Sequence, residues 1–275
     1  MSLLDLREQA RSHRPQLVPL ESLYQDVRTT WLGRMVNEHA SALVFEGLAT
    51  QIRAAGLGEA LALECEGFAA EERHHGVLCG AVVEAALGEA LAEELTRDDV
   101  PMHEEVPAVE GLLRNVIAVC CLSETAAVAL IGAERLRMGP GPLRDLLESI
   151  WADEVGHARF GWRLLAGLAP TLDDAMKNRL SSYLAVAFAH LEAHELSHLP
   201  TTYRPPAEGA ELGLCSGVDA RVLFYQAIEQ VMIPGLEGLG FDARRAFRLR
   251  HRASGMVPCA DEQSVGDLQR SSPCE

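Results

Sequence analysis

Apolar positions along this chain recur every three to four residues over long stretches, and glycine or proline separates one stretch from the next. The spacing predicts a first helix from about Ser22 to Ala55, ended by Gly56 and Gly58, and a second from about Glu59 to Ala86. A third spans about Ala108 to Met138, and a fourth about Leu143 to Leu168, after a Gly-Pro-Gly-Pro break at 139–142. Short turns join the first to the second and the third to the fourth. Residues 88–107 form a long acidic link with Pro101 and Pro107, in which a helical turn is expected near Leu91. Two hairpins joined by one crossover make an all-α four-helix bundle.

The pattern continues past the bundle. A fifth helix is expected from about Leu172 to His198, then a Pro- and Gly-rich loop over 200–217. A sixth helix runs from about Asp219 to Ile233 and ends at Pro234, followed by a basic helical segment near Asp242–Arg252. The expected division is a loosely structured N-terminal arm over 1–20, the bundle over 21–168, a helical extension packed on it over 169–253, and a disordered tail over 254–275.

Composition narrows the partners. The 275 residues are 48% hydrophobic, with many Ala, Leu and Glu, which favours helix. A net charge of −16 argues against a nucleic-acid partner and against an anionic membrane surface. The start is charged and carries no secretory signal, and no apolar run is read as long enough to span a bilayer, so a cytoplasmic protein is expected. Seven cysteines without a CxxC pair suggest neither a disulfide framework nor a thiolate iron site.

Glu-x-x-His on a helix puts a carboxylate and an imidazole one turn apart on one face. Four such pairs occur: Glu71/His74, Glu72/His75, Glu154/His157 and Glu195/His198. One alone is weak. The informative feature is that Glu38 precedes Glu72 by one helix and Glu124 precedes Glu154 in the same way. Each half reads Glu, short turn, Glu-x-x-His, which is the ligand layout of a two-metal carboxylate bundle. On the second helix the Glu72/His75 frame is preferred, because it puts Phe68, Cys79 and Val82 on the ligand face. Glu124 sits among Cys120, Cys121, Ala127, Val128 and Ile131, where an unpaired carboxylate is costly. Glu195/His198 closes the fifth helix and is left outside the site. There His190, His194 and His198 form a stripe whose commoner role is an exposed face.

The segments E-H-A-S (38–41), E-E-R-H-H (71–75), S-E-T-A (123–126) and A-D-E-V-G-H-A-R-F-G (152–161) together resemble the ferritin-like di-iron carboxylate superfamily, with rubrerythrin-like and di-iron oxygenase-like bacterial members. The resemblance covers about residues 30–165. It implies a ferritin-like bundle in which Glu72 and Glu154 bridge two metals, Glu38 and His75 complete one, and Glu124 and His157 the other. It implies that Asp153 hydrogen-bonds a ligand imidazole, and it marks Cys79, Cys121 and Val128 as pocket candidates. The metals would be two iron ions, with manganese or a mixed pair as alternatives. The activity implied is that of an O2-activating oxidase or oxygenase acting on a small organic substrate with an electron donor, in a chain compatible with a homodimer. The alternatives are a ferroxidase or peroxide-scavenging protein, and a non-catalytic binding protein with a vestigial site.

Overall fold

The computed structural model describes residues 3–94 and 101–253. The expected tail, 254–275, and part of the long acidic link lie outside those residues. The regular elements among the described residues are helices and one two-stranded ribbon.

A short strand and a short helix open the chain where a loose arm was expected. Strand β1 (Leu3–Asp5) pairs antiparallel with β2 (Leu91–Glu93), with Leu4 opposite Ala92. Helix α1 (Arg7–Arg11) follows and packs on the second long helix. Leu4, Leu6 and Ala10 are buried there, which is why this arm is ordered. The helical turn expected near Leu91 is thus strand β2, built from the stretch Leu-Ala-Glu rather than a helical repeat.

The long helices start and stop close to the expected positions. Helix α2 (Tyr24–Ala54) turns through Gly56, whose φ of +69° suits glycine, and the N–H of Leu57 reaches back to the carbonyl of Ile52. Helix α3 (Glu59–Ala85) returns alongside it. The third long helix, Ala108–Arg137, is α4 (Ala108–Val116), a π-helical segment (Ile117–Ser123) and α5 (Glu124–Arg137) in continuous succession. Helix α6 (Pro142–Leu168) starts with proline at its first position, where the missing N–H leaves no bond unmade.

By length and composition Ala108–Arg137 is apolar enough to cross a membrane, an 18-residue window within it having a mean hydropathy of 2.1, which corrects the expectation that no run was long enough. Most of its apolar residues from Leu112 to Ala126 lie in the protein core, and it carries the buried Glu124 in mid-helix.

Two apolar clusters sit at the two ends of these helices. One takes Val27, Trp31 and Met35 of α2, Leu78, Cys79 and Val82 of α3, and Leu143 to Ile150 of α6. The other takes Ala42 to Ile52, Ala62 to Ala69, Leu112 to Ala126, and Phe160 to Leu165. In α2 the numbering rises from the first cluster to the second, and in α3 it falls, so the two run antiparallel. The gaps between the clusters fall at 36–41, 70–77 and 151–159. They define a middle layer that belongs to neither cluster, with only Ala40 and Ala158 as buried apolar side chains on these three helices.

The remaining helices cover the second cluster. Helix α7 (Asp174–His198) is capped by Asp173, whose carboxylate accepts the N–H of Met176 at 2.7 Å. Helix α8 (Gly217–Ala227), a π segment (Ile228–Met232) and α9 (Ile233–Gly238) are continuous, so Pro234 lies inside the run expected to end there. Helix α10 (Ala243–Ala253) lies on α7, tied to it by Arg250, whose guanidinium donates twice to Glu192 at 2.9 Å.

Candidate metal centre

Glu38, Glu72, His75, Glu124, Glu154 and His157 all reach the middle layer. Glu38, Glu72, His75 and Glu154 form one group able to hold a metal ion, and Glu72, Glu124, Glu154 and His157 form another. The donor atoms within each group lie within 4.8 Å of one another. Glu72 and Glu154 belong to both. Glu72, Glu124, Glu154 and the two imidazoles are buried, and Glu38 is the most exposed of the six, at 16%.

The imidazoles show how the layer is wired. Nε2 of His75 lies 3.1 Å from Asp153 Oδ2, and Nε2 of His157 lies 2.9 Å from Glu71 Oε2. A carboxylate only accepts, so each Nε2 donates and the other ring nitrogen, Nδ1, carries the lone pair. That nitrogen faces more acceptors. His75 Nδ1 is 3.2 Å from Glu154 and 3.7 Å from Glu38. His157 Nδ1 is 3.1 Å from Glu72, 3.4 Å from Glu154 and 3.8 Å from Glu124. Neither Nδ1 has a hydrogen-bond partner, although both are fully buried. A lone pair aimed at carboxylate oxygens is repulsive unless a cation lies between, either a proton or a metal ion. The donor set therefore fits two divalent ions: four carboxylates and two neutral imidazoles cancel four positive charges.

With protons as the only cations, the electrostatics take another form. Burial pushes Glu72 up to about 8, helped by the charge of Glu154, and raises Glu124 well above the carboxylate range. Burial also opposes ionisation of Glu154, yet hydrogen bonds from His157, His75 and Glu124 outweigh it and hold this carboxyl low. Burial disfavours charge on His75, but Glu154 and Glu38 override it and raise the imidazole to about 11. His157 is raised in the same way by Glu124, Glu154 and Glu72. Protons thus occupy the positions that divalent ions would take.

The carboxylates behind the imidazoles follow an internal repeat. Asp153 precedes Glu154 and reaches His75 on α3. Glu71 precedes Glu72 and reaches His157 on α6. Asp153 lies where the sequence put it. Glu71 was read only as the alternative ligand frame, and its place behind His157 was missed. The signal was present: both helices read acid-Glu-x-x-His, as Glu71-Glu72-x-x-His75 and Asp153-Glu154-x-x-His157.

The π segment was not foreseen either. It ends immediately before Glu124, and π turns recur beside functional residues because the extra residue re-aims the side chains around them. Here Cys120 is the thiol on the Glu124 side, its ionisation opposed by burial and by that carboxylate. Cys121 is buried in the apolar cluster, its thiol raised by burial alone. Cys79 is buried, with its ionisation opposed by burial and by Glu38. Val128 is half-buried, and its carbonyl accepts the indole N–H of Trp151 at 3.1 Å. Two hollows lie elsewhere. One of about 50 Å³ is lined by His39, Leu43, Arg73 and Glu94 among others, and one of about 360 Å³ by Arg114, Asn178, Arg179, Ser182 and Tyr183. Neither is lined by Cys79, Cys121 or Val128.

Around His157 the layer is apolar. The rings of Phe45 and Phe68 stand 4.9 and 4.6 Å from its centroid, and Phe160 packs on Phe68. No known family model, curated protein or solved structure matches this chain.

Proposed function

We propose that this chain is a ferritin-like di-metal carboxylate protein whose centre activates dioxygen to oxidise a small organic substrate. The observation that supports it is the pair of fully buried imidazoles, each with an unpartnered Nδ1 aimed at carboxylates that the two groups share. In this reading Glu38 and His75 would hold one ion and Glu124 and His157 the other, with Glu72 and Glu154 available to both. Iron is the metal proposed, with manganese or a mixed pair as alternatives.

Two ferrous ions, when bound, supply electrons to dioxygen, and an electron donor restores them. The chain supplies the rest. Asp153 and Glu71 keep the proton of each imidazole on Nε2, so that Nδ1 stays available as a ligand. Phe45, Phe68 and Phe160 exclude water from the His157 side and offer apolar walls to an organic substrate. The four carboxylates fix the net charge at a value two divalent ions neutralise, so reduced ions are retained in a buried layer.

One observation favours a second reading, a ferroxidase or peroxide-scavenging protein. Asp153 and Glu71 are 41% and 44% exposed while touching the buried imidazoles, so carboxylates that meet solvent also meet the layer, where they could attract cations. The test is to load the protein anaerobically with ferrous iron, admit oxygen, and follow oxygen uptake with a panel of small apolar compounds. Uptake that yields an oxidised compound, and that is lost in Glu154→Ala, supports the oxygenase. Uptake proportional to added ferrous iron, with mineral as the product and no compound oxidised, contradicts it in favour of the ferroxidase.

A further inference from the structure

The last turn of α7 carries a separate arrangement with metal chemistry. Residues 194–198 read His-Glu-Leu-Ser-His, two imidazoles four residues apart on one helical face. Their rings stand 5.0 Å apart between centroids and are inclined at 71°. An imidazole nitrogen binds an ion such as Zn2+ at about 2.0–2.1 Å, so two rings sharing one tetrahedral ion have centroids about 5 Å apart. The observed separation already matches. His190 and His194, the other neighbours in the stripe, differ. Their centroids are 6.4 Å apart and the rings nearly parallel, at 12°. That is too wide for one ion at a tetrahedral angle, so the geometry singles out the second pair from a uniform row of histidines.

The surroundings favour a cation. His198 is the final residue of α7, where the helix dipole presents its negative end. Arg221 donates to the carbonyls of Leu196 and Leu199, which pins the turn and holds both rings on a fixed backbone. His194 is half-buried and His198 exposed, so an ion there would be open to solvent. Among the described residues no third His, Cys, Asp or Glu joins the pair in a metal-holding group, so water would fill the remaining positions. Imidazole-and-water coordination suits Zn2+, Cu2+ or Ni2+, whereas the buried carboxylate layer suits iron or manganese. The two places therefore differ in preferred metal.

We propose that His194 and His198 bind one divalent cation of the zinc–copper–nickel class at the C-terminal turn of α7, independently of the buried centre. The test titrates the full chain with Zn2+ against a chromophoric chelator, comparing wild type with His194→Ala, His198→Ala and His190→Ala. The expected result is one equivalent of Zn2+ lost in both His194→Ala and His198→Ala and retained in His190→Ala, with unchanged iron loading in all three. A second readout covers any variant that folds poorly. In the wild type, Zn2+ should protect His194 and His198 from carbethoxylation and leave His190 reactive. Equal Zn2+ binding by all four proteins, equal loss in His190→Ala, or uniform protection of the three histidines would overturn the proposal.

Discussion

Removing the carboxylate behind one imidazole should weaken one ion more than the other. Asp153→Ala leaves Nε2 of the fully buried His75 without its acceptor, and Glu71→Ala does the same to His157. Loss of such a partner lowers metal affinity roughly 10- to 100-fold, or about 1.4–2.7 kcal/mol. Both acids are close to half exposed, so water can replace the lost oxygen, which places the effect near the lower end, at about tenfold. Each substitution acts on a different imidazole. Stepwise titration with Mn2+ under anaerobic conditions should therefore show one binding step weakened in each variant, and both in the double variant. Asp153→Asn retains an acceptor oxygen and should recover most of the loss. Two steps within twofold of wild type in both alanine variants would refute the role given to these carboxylates.

Four further outcomes are expected. A Cβ built on Gly161 would lie 2.2 Å from the Cβ of Cys120, so Gly161→Ala should force α6 from the π segment and cost about 1–3 kcal/mol in denaturant unfolding; an unchanged midpoint would contradict this close approach. Leu87 is 79% exposed with a φ of +61°, so Leu87→Gly should stabilise the fold by about 1 kcal/mol, and a destabilised variant would count against strain at that turn. Burial works against ionised Glu192, but hydrogen bonds from Arg250 and Tyr225 prevail and hold its pKa below the ordinary 4.5, so its stabilising contribution is full above that value and is lost as pH falls through the lowered one. The melting-temperature gap between wild type and Glu192→Gln should accordingly close in acid, and a gap independent of pH would contradict the assignment. Because burial and charge keep protons on Glu72, Glu124, His75 and His157, metal loading near pH 7 should release protons to an indicator dye and tighten as pH rises toward 9; loading without release would contradict the proton-filled cluster.

The helices were legible because their apolar spacing is regular, and helices α2, α3 and α6 begin and end within about two residues of the expected positions. The six residues of the candidate centre were legible for another reason. A buried carboxylate and imidazole repeated at matching depth in two hairpins have few other uses. What the sequence did not disclose depends on contacts between elements. β1 exists because Leu4 and Leu6 find a surface near the end of α3, and no local pattern in three residues signals that. The π segment arises where Gly161 lets α6 press against Cys120, a fact of packing rather than of propensity. Glu71 was missed because its pair with His74 competes with Glu72 and His75 for one helical face. Only the position of α6 shows that His157 takes it as a partner.

The most direct measurement is a metal count coupled to a magnetic one. The protein would be loaded anaerobically with Mn2+, its manganese determined per chain, and its electron paramagnetic resonance spectrum recorded. If Glu72 and Glu154 join both groups, wild type should hold two ions per chain with the signature of a spin-coupled pair, and Glu154→Ala should lose both the coupling and most of the metal. One ion per chain, two uncoupled ions, or a Glu154→Ala variant that binds manganese as wild type does would contradict a shared two-metal centre.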